Sequence, residues 1–247
     1  MKLGIMQPYF FPYIGYFELI AKTDYWVVFD VVQYNDRSWM NRNRILHPKA
    51  GWQYIQVPVA KTPHGTPIHR IRLKDRAAAQ TRLLGQLDHY RKHAPYFRQV
   101  IDVVHASFAE SSDRLVDLNV AGLASVCAYL GLEFRFSLCS ETDLDLEGIE
   151  HPGQWALRIA EKLGASEYIN PPGGRDLFRQ SEWEAASIRL RFTEMPSFSY
   201  PCGPYPFIDN LSILDVLMWN RPAEIVAAFG GENDAERKSS RPHSSLC

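Results

Sequence analysis

Runs of apolar residues along this chain switch between the period of a buried strand and the period of a helix. Leu3–Gln7 reads as a short buried strand that Pro8 ends, because proline has no N–H for a ladder. Tyr13–Lys22 carries apolar residues at 13, 14, 16, 17, 19, 20 and 21 and reads as a well-buried helix. Tyr25–Asp30 is the strongest strand, and its continuous apolar run suits burial on both faces. A strand, a helix and a second strand within thirty residues predict a parallel pair with a right-handed crossover.

Asn35–Leu46 is polar and rich in Arg and Asn. Trp52–Val59 and Ile68–Leu73 both alternate, which predicts a hairpin across the Lys61–Pro67 turn. Asp75 is a suitable cap for a helix over Arg76–Lys92. Phe97–Phe108 gives another helical period. Ser111, Ser112 or Asp113 can cap a third helix that Gly131 stops. Phe134–Leu138 reads as a short strand. Further on, Gln154–Leu163 predicts a helix, Glu167–Asn170 a strand, Phe178–Ala186 a helix and Ile188–Thr193 a strand. Ser212–Asn220 and Pro222–Phe229 predict two last helices.

This order predicts an α/β class: a Rossmann-like, mainly parallel sheet in a single domain over residues 1–230, with a helical insertion at about 75–131. Residues 231–247 are polar and charged and read as a disordered tail.

Composition narrows the function classes. The 247 residues are 46% hydrophobic, enough for a real core. The formal net charge of −1 provides no global basic field for nucleic acid. No apolar run approaches the ~20 residues of a membrane span. The first residues lack the apolar stretch of a signal peptide. Cys127, Cys139, Cys202 and Cys247 are scattered with no CxxC pair, which suits reduced thiols in a cytoplasmic protein. His47, His64 and His69 lack metal-ligand spacing, so no metal site is predicted.

Three segments follow predicted strands, where open α/β sheets bind ligands. The first is Met6–Phe17, with Gln7, Tyr9 and Tyr16 as polar or flat contacts and Gly15 permitting close approach. An aromatic loop packed on the core is the other reading. The second runs from Asp30 to Arg44. Arg37, Arg42 and Arg44 offer forked donors for phosphate or carboxylate, and Asn41 and Asn43 can read amides or hydroxyls. A solvated basic turn has the same composition. The third is Asn170–Asp176, where Gly173 and Gly174 free the backbone to wrap an anion and Arg175 can close on it. It lacks the Gly-Lys-Ser/Thr of a Walker loop, and a plain turn is equally compatible. His151 and Asp30 are the candidate general bases.

The blocks "KLGIMQPYFFPYIGYFELI", "YWVVFDVVQYNDRSWMNRNRIL", "EKLGASEYINPPGG" and "FIDNLSILDVLMWN" resemble, in content and order, the WbqC-like protein family. The likeness spans roughly residues 2–230. It implies a bacterial protein linked to O-antigen, other surface-polysaccharide or secondary-metabolite biosynthesis. It also implies transfer of glycine or another acyl unit to an amino sugar. The small-molecule substrate would then be a nucleotide-activated amino sugar or a similar amine. A second reading of the same likeness is a non-catalytic protein that holds a sugar nucleotide. The opening strand, proline-broken loop and helix also resemble the nucleotidylyltransferase-type layout, with Tyr16 where a phosphate-binding histidine stands. That layout implies ATP as cofactor and an acyl adenylate.

Overall fold

The computed structural model describes residues 1–143, 148–194 and 198–229. The predicted tail at 231–247, with Cys247, lies outside the described residues.

The first strand is β1 (Lys2–Met6), followed by α1 (Ile14–Ala21) and β2 (Tyr25–Val28). β1 and β2 pair in parallel, with Leu3 opposite Tyr25 and Met6 opposite Val28. Gly4 is a packing requirement here. A Cβ at that position would lie 2.6 Å from the Trp26 ring, so glycine lets the indole lie against the strand.

A long connection follows. It carries β3 (Arg42–Leu46), β4 (Trp52–Gln56) and three helices, α2 (Arg76–Leu87), α3 (Phe97–Ser107) and α4 (Leu115–Leu130). Asp75 caps α2 by accepting from the Ala78 N–H at 2.9 Å. Gly131 ends α4 in the left-handed region at φ 72°. The residue at the N-cap of α4 is Arg114, not one of residues 111–113. Ser112 contributes by accepting from the Arg114 N–H.

The rest of the chain adds β5 (Phe136–Leu138), α5 (Gln154–Lys162), β6 (Glu167–Asn170), α6 (Gln180–Ala185), β7 (Arg189–Phe192), α7 (Ile213–Trp219) and α8 (Pro222–Ala228). Five strands form one sheet in the order β5-β2-β1-β6-β7, and every pairing in it is parallel. The chain thus builds outward from β1 in one direction and then, from β6, in the other. This is the logic of a doubly wound sheet.

The two faces bury different residues, as strand alternation requires. Trp26 and Val28 face a core that includes Tyr16, Phe17 and Leu19 of α1 and Leu123 of α4. Leu3, Ile5, Val27 and Tyr168 face a second core made with Leu157 and Ile159 of α5 and Trp183 of α6. Helices cover both sides, which explains the unbroken apolar run of β2.

One pairing differs from the sequence reading. β4 does not pair with residues 68–73. It pairs antiparallel with β3, Arg42 opposite Gln56 and Leu46 opposite Trp52. Ile68–Arg70 is a single 3₁₀ turn, and Val59 and Leu73 share one isolated bridge. β3 escaped the pattern because its buried positions begin with an asparagine, Asn43, before Ile45.

Candidate functional site

β1 and β6 are neighbours whose connections leave toward opposite faces and opposite edges of the sheet. Such a switch point opens a crevice at the carboxyl ends of the strands. A cavity of about 360 Å³ lies there, between Met6 at the end of β1 and Pro171 just after β6. Its other walls are Tyr9, Pro12 and Tyr13 from the first loop, Trp39, Asn43 and Arg44 from the second, and Asn210 ahead of α7. The Tyr/Pro loop and the Arg/Asn segment therefore do meet around one cavity.

The first loop is held from outside itself. The Phe10 N–H donates to the Trp39 carbonyl at 2.9 Å. Asn43 Nδ2 donates to the carbonyls of Phe10 and Phe11, at 3.1 and 2.8 Å. Asn119 Nδ2, on α4, donates to the carbonyls of Pro8 and Met40, both at 2.8 Å. Ser212 Oγ donates to the Phe11 carbonyl at 2.8 Å, and the Ile213 N–H to that of Pro12 at 2.8 Å. Asn43, Asn119 and Ser212 are all buried. These contacts fix Phe11 at φ 41°, an unfavourable conformation for a bulky residue.

Arg44 brings the one formal charge among the wall residues. Its guanidinium lies 5.3 Å from the Trp39 ring centre and 5.2 Å from that of Trp52. Nη2 donates to the Asn210 carbonyl at 3.4 Å, and Nε is buried without a partner. No carboxylate among the described residues pairs with it. Aromatic faces hold such a cation in place while leaving its fork of donors for an anion. Burial pushes the Tyr9 and Tyr13 phenols up, so both present neutral hydroxyls.

The other residues singled out in the sequence sit in several places. Gln7 stands beside the wall, where its Oε1 accepts from the Tyr9 hydroxyl at 3.4 Å. Gly15 and Tyr16 lie behind it, both buried. The Tyr16 hydroxyl donates to the Gln7 carbonyl and its ring packs on Trp26. Tyr16 is therefore a core residue that stands outside the cavity wall. Arg42 Nη2 donates to the Arg37 carbonyl at 2.6 Å, and its guanidinium covers the Tyr54 ring at 4.7 Å. Asn41 faces a different cavity, with Tyr34 and Lys61.

Asp30 is fully buried, and both its oxygens are engaged by Ser140, at 2.9 Å from the N–H and 2.6 Å from the hydroxyl. It ties the end of β2 to the turn after β5, outside the wall. His151 Nε2 contacts Glu182 at 2.9 Å, which joins the start of α5 to α6. That hydrogen bond is the main reason the Glu182 carboxyl sits below its usual range. Gly173 and Gly174 lie in the 3₁₀ turn that follows Pro171. A Cβ on Gly174 would lie 2.3 Å from Asn170 Nδ2, so this glycine serves packing. Arg175 is exposed and stacks 4.4 Å over Phe192.

The cavity also uses residues that the sequence reading did not single out. Trp39 lay within the Arg/Asn segment without an assigned role, whereas Asn43, offered there as a reader of amides or hydroxyls, places its amide on the carbonyls of Phe10 and Phe11. Asn210 carried no signal beyond preceding a helix. Its φ of 57° turns its carbonyl toward Arg44.

Among the described residues, no helix is long and apolar enough to cross a membrane, and no three His, Cys, Asp or Glu side chains gather as a metal site. Cys127, Cys139 and Cys202 are buried and unpaired, and desolvation pushes each thiol up to about 12.

The protein named "Uncharacterized protein Rv1507c" of Mycobacterium tuberculosis (strain ATCC 25618 / H37Rv) is 28% identical over 218 residues, covering 87% of this chain and 92% of that relative. No solved structure matches. The model of the WbqC-like protein family matches residues 7–227, a span that takes in four of the five strands of the sheet and every wall residue of the cavity but Met6, and the chain belongs to that family.

Proposed function

We propose that this protein binds a small anionic substrate in the switch-point cavity and acts there as an acyl or aminoacyl transferase. The acceptor is the amine of an amino sugar or a similar small amine, in a bacterial surface-polysaccharide or secondary-metabolite pathway in the cytoplasm. The observation that carries the binding half is Arg44, a guanidinium held between two indoles with no carboxylate partner, at the edge of a preformed cavity. The transfer half rests on the resemblance of residues 7–227 to the WbqC-like family and on what that resemblance implies.

In this reaction the amine nitrogen attacks the acyl carbonyl, a C–N bond forms and the leaving group departs with its electron pair. The attacking nitrogen must also lose a proton. Neither Asp30 nor His151 lines the cavity, and the phenols there are weak bases. The departing group is thus the natural proton acceptor, and Arg44 would hold its charge. An ATP-derived acyl adenylate fits this scheme, since its leaving group is a phosphate.

A second reading, a sugar-nucleotide-binding protein without chemistry, is favoured by one observation. The cavity wall contains no carboxylate, imidazole or amine side chain. Mass spectrometry separates the two. Purified protein is incubated with nucleotide-activated amino sugars and a panel of acyl donors, with and without ATP. An acylated product that disappears with Arg44→Ala supports the transferase. Ligand binding by thermal shift with no product under any condition rejects it in favour of the binding protein.

A further inference from the structure

We infer that the outward face of the β3–β4 hairpin is a docking surface for single-stranded nucleic acid. Alternation along the two strands builds it. Asn43 and Ile45 of β3 and Ile55 of β4 turn inward and are buried, while Trp52, Tyr54 and Gln56 are exposed. Arg44 stands opposite Tyr54 and Arg42 opposite Gln56, so both arginines share the outward face. Among the described residues six large hydrophobic side chains are exposed, and three of them meet here: Trp39 at 37%, Trp52 at 41% and Tyr54 at 38%. An exposed aromatic cluster of this kind marks an interaction surface.

Rings and cations are interleaved on this face. The Arg42 guanidinium lies over the Tyr54 ring at 4.7 Å, and that of Arg44 lies 5.3 Å from the Trp39 ring centre and 5.2 Å from that of Trp52. Trp52 and Tyr54 meet edge to face, with centroids 4.9 Å apart. Residues 37–56 contain four Lys or Arg and no Asp or Glu. None of those four pairs with a carboxylate among the described residues. The hairpin is thus a local positive patch on a chain whose formal net charge is −1.

This composition selects the partner. Phosphates answer the guanidiniums and bases answer the rings. Proteins that hold single strands combine a basic track with aromatic side chains on which successive bases stack, and guanidinium planes serve as platforms as well. A small anion would need a concave pocket that covers most of its surface, and these rings stand more than a third exposed on the face of a hairpin. An acidic peptide would use the cations and leave the rings idle. Trp39 and Arg44 also wall the first cavity, whereas Arg42, Trp52 and Tyr54 do not. The surface therefore leads outward from the mouth of that cavity, and the inference does not depend on the cavity being catalytic.

Fluorescence anisotropy on the full chain tests it, with a labelled oligouridylate of about eight nucleotides and the matching oligothymidylate as separate probes. Binding of at least one strand is expected, weakening as salt rises, and the two arms tell a ribose strand from a deoxyribose one. Tyr54→Ala should weaken binding about fivefold or more, while Tyr54→Phe, which keeps the ring, should retain it. Arg42→Ala should lower the slope of log affinity against log salt by about one. Neither residue lines the first cavity, so these losses belong to the hairpin face. Uridine monophosphate and inorganic polyphosphate are the controls, the first lacking length and the second lacking bases. The inference is overturned if neither strand binds, if either control binds as tightly as the strands, or if Tyr54→Ala keeps full affinity. Strand binding by a protein that ignores small anions would support it and count against the reading of the first cavity.

Discussion

Asn119 gives the sharpest test of how the first cavity is built. It sits on α4 and is 1% exposed. Its one Nδ2 joins two segments, at Pro8 and Met40, that are 111 and 79 positions away. Asn119→Ala leaves both carbonyls buried without that donor. An orphaned buried acceptor costs about 1–3 kcal/mol. The vacated amide adds a small cavity, but the mutation also removes the orphan Oδ1 of Asn119, which offsets part of the loss. The balance is a destabilisation of roughly 2–4 kcal/mol. Urea unfolding read by tryptophan fluorescence measures it, since a fall in midpoint at constant slope reports stability alone. For a chain of this size the melting temperature should drop by about 5–10 °C. Asn119→Asp should be at least as harmful, because a carboxylate facing two carbonyls cannot donate and is itself buried. A loss under about 1 kcal/mol for the alanine variant would show that water or a backbone shift replaces the amide, and that the loop is not held as described.

Arg44→Lys keeps the charge but loses the planar fork, and should weaken anion binding in the first cavity nearly as much as Arg44→Ala, by about tenfold or more on titration. Gly4→Ala forces a Cβ to 2.6 Å from the Trp26 ring, in the middle of the sheet, and should cost about 1–3 kcal/mol in urea unfolding. Asp215 is fully buried, accepts from the hydroxyls of Tyr90 and Tyr200, and is pushed up to about 6 by desolvation. Between about pH 4 and pH 6 the folded carboxyl keeps a proton that the unfolded chain has released. Stability from this group should therefore fall as pH rises through that window, by roughly 2–3 kcal/mol, and Asp215→Asn should flatten the slope. The buried thiols should react with a disulfide reagent in the native state far more slowly than in urea, and equal rates would contradict their placement.

Much of the fold was legible because local signals agreed with the packing. Glu167–Asn170 was bounded by a glycine-closed helix before it and a Pro-Pro-Gly-Gly turn after it, and β6 has those limits. The apolar run of β2 announced a strand covered on both faces. The pairing of β3 with β4 was not legible, because Arg42 and Arg44 look like a solvated segment until Tyr54, Trp52 and Trp39 are placed over them. In the site, Tyr9 and Arg44 could be read from their position after strands. Tyr16 could not be separated from Tyr9, since core and cavity tyrosines have the same composition and only burial tells them apart. Asp30 and His151 carried the residue types of general bases. Their partners, Ser140 and Glu182, lie 110 and 31 positions away, beyond any local pattern.

The composition of the first loop explains why its supports are so distant. Residues 8–12 contain two prolines, so they carry five carbonyls but only three N–H groups. Such a loop cannot pair its own backbone, and buried carbonyls must find donors elsewhere. They find them on β3 through Asn43, on α4 through Asn119 and at the start of α7 through Ser212 and the Ile213 N–H. The long connection between β2 and β5 thereby has a physical task, since it supplies Trp39, Asn43 and Asn119 to the carboxyl edge of the sheet. A cavity wall tied down at four carbonyls is rigid before any ligand arrives, which lowers the ordering cost of binding. Replacing Pro8 or Pro12 would restore a donor and loosen the conformation without removing any wall side chain but Pro12. Binding should then weaken through Pro8 variants even though Pro8 touches no ligand, and unchanged affinity in Pro8→Ala would argue that rigidity of this loop is not what prepares the cavity.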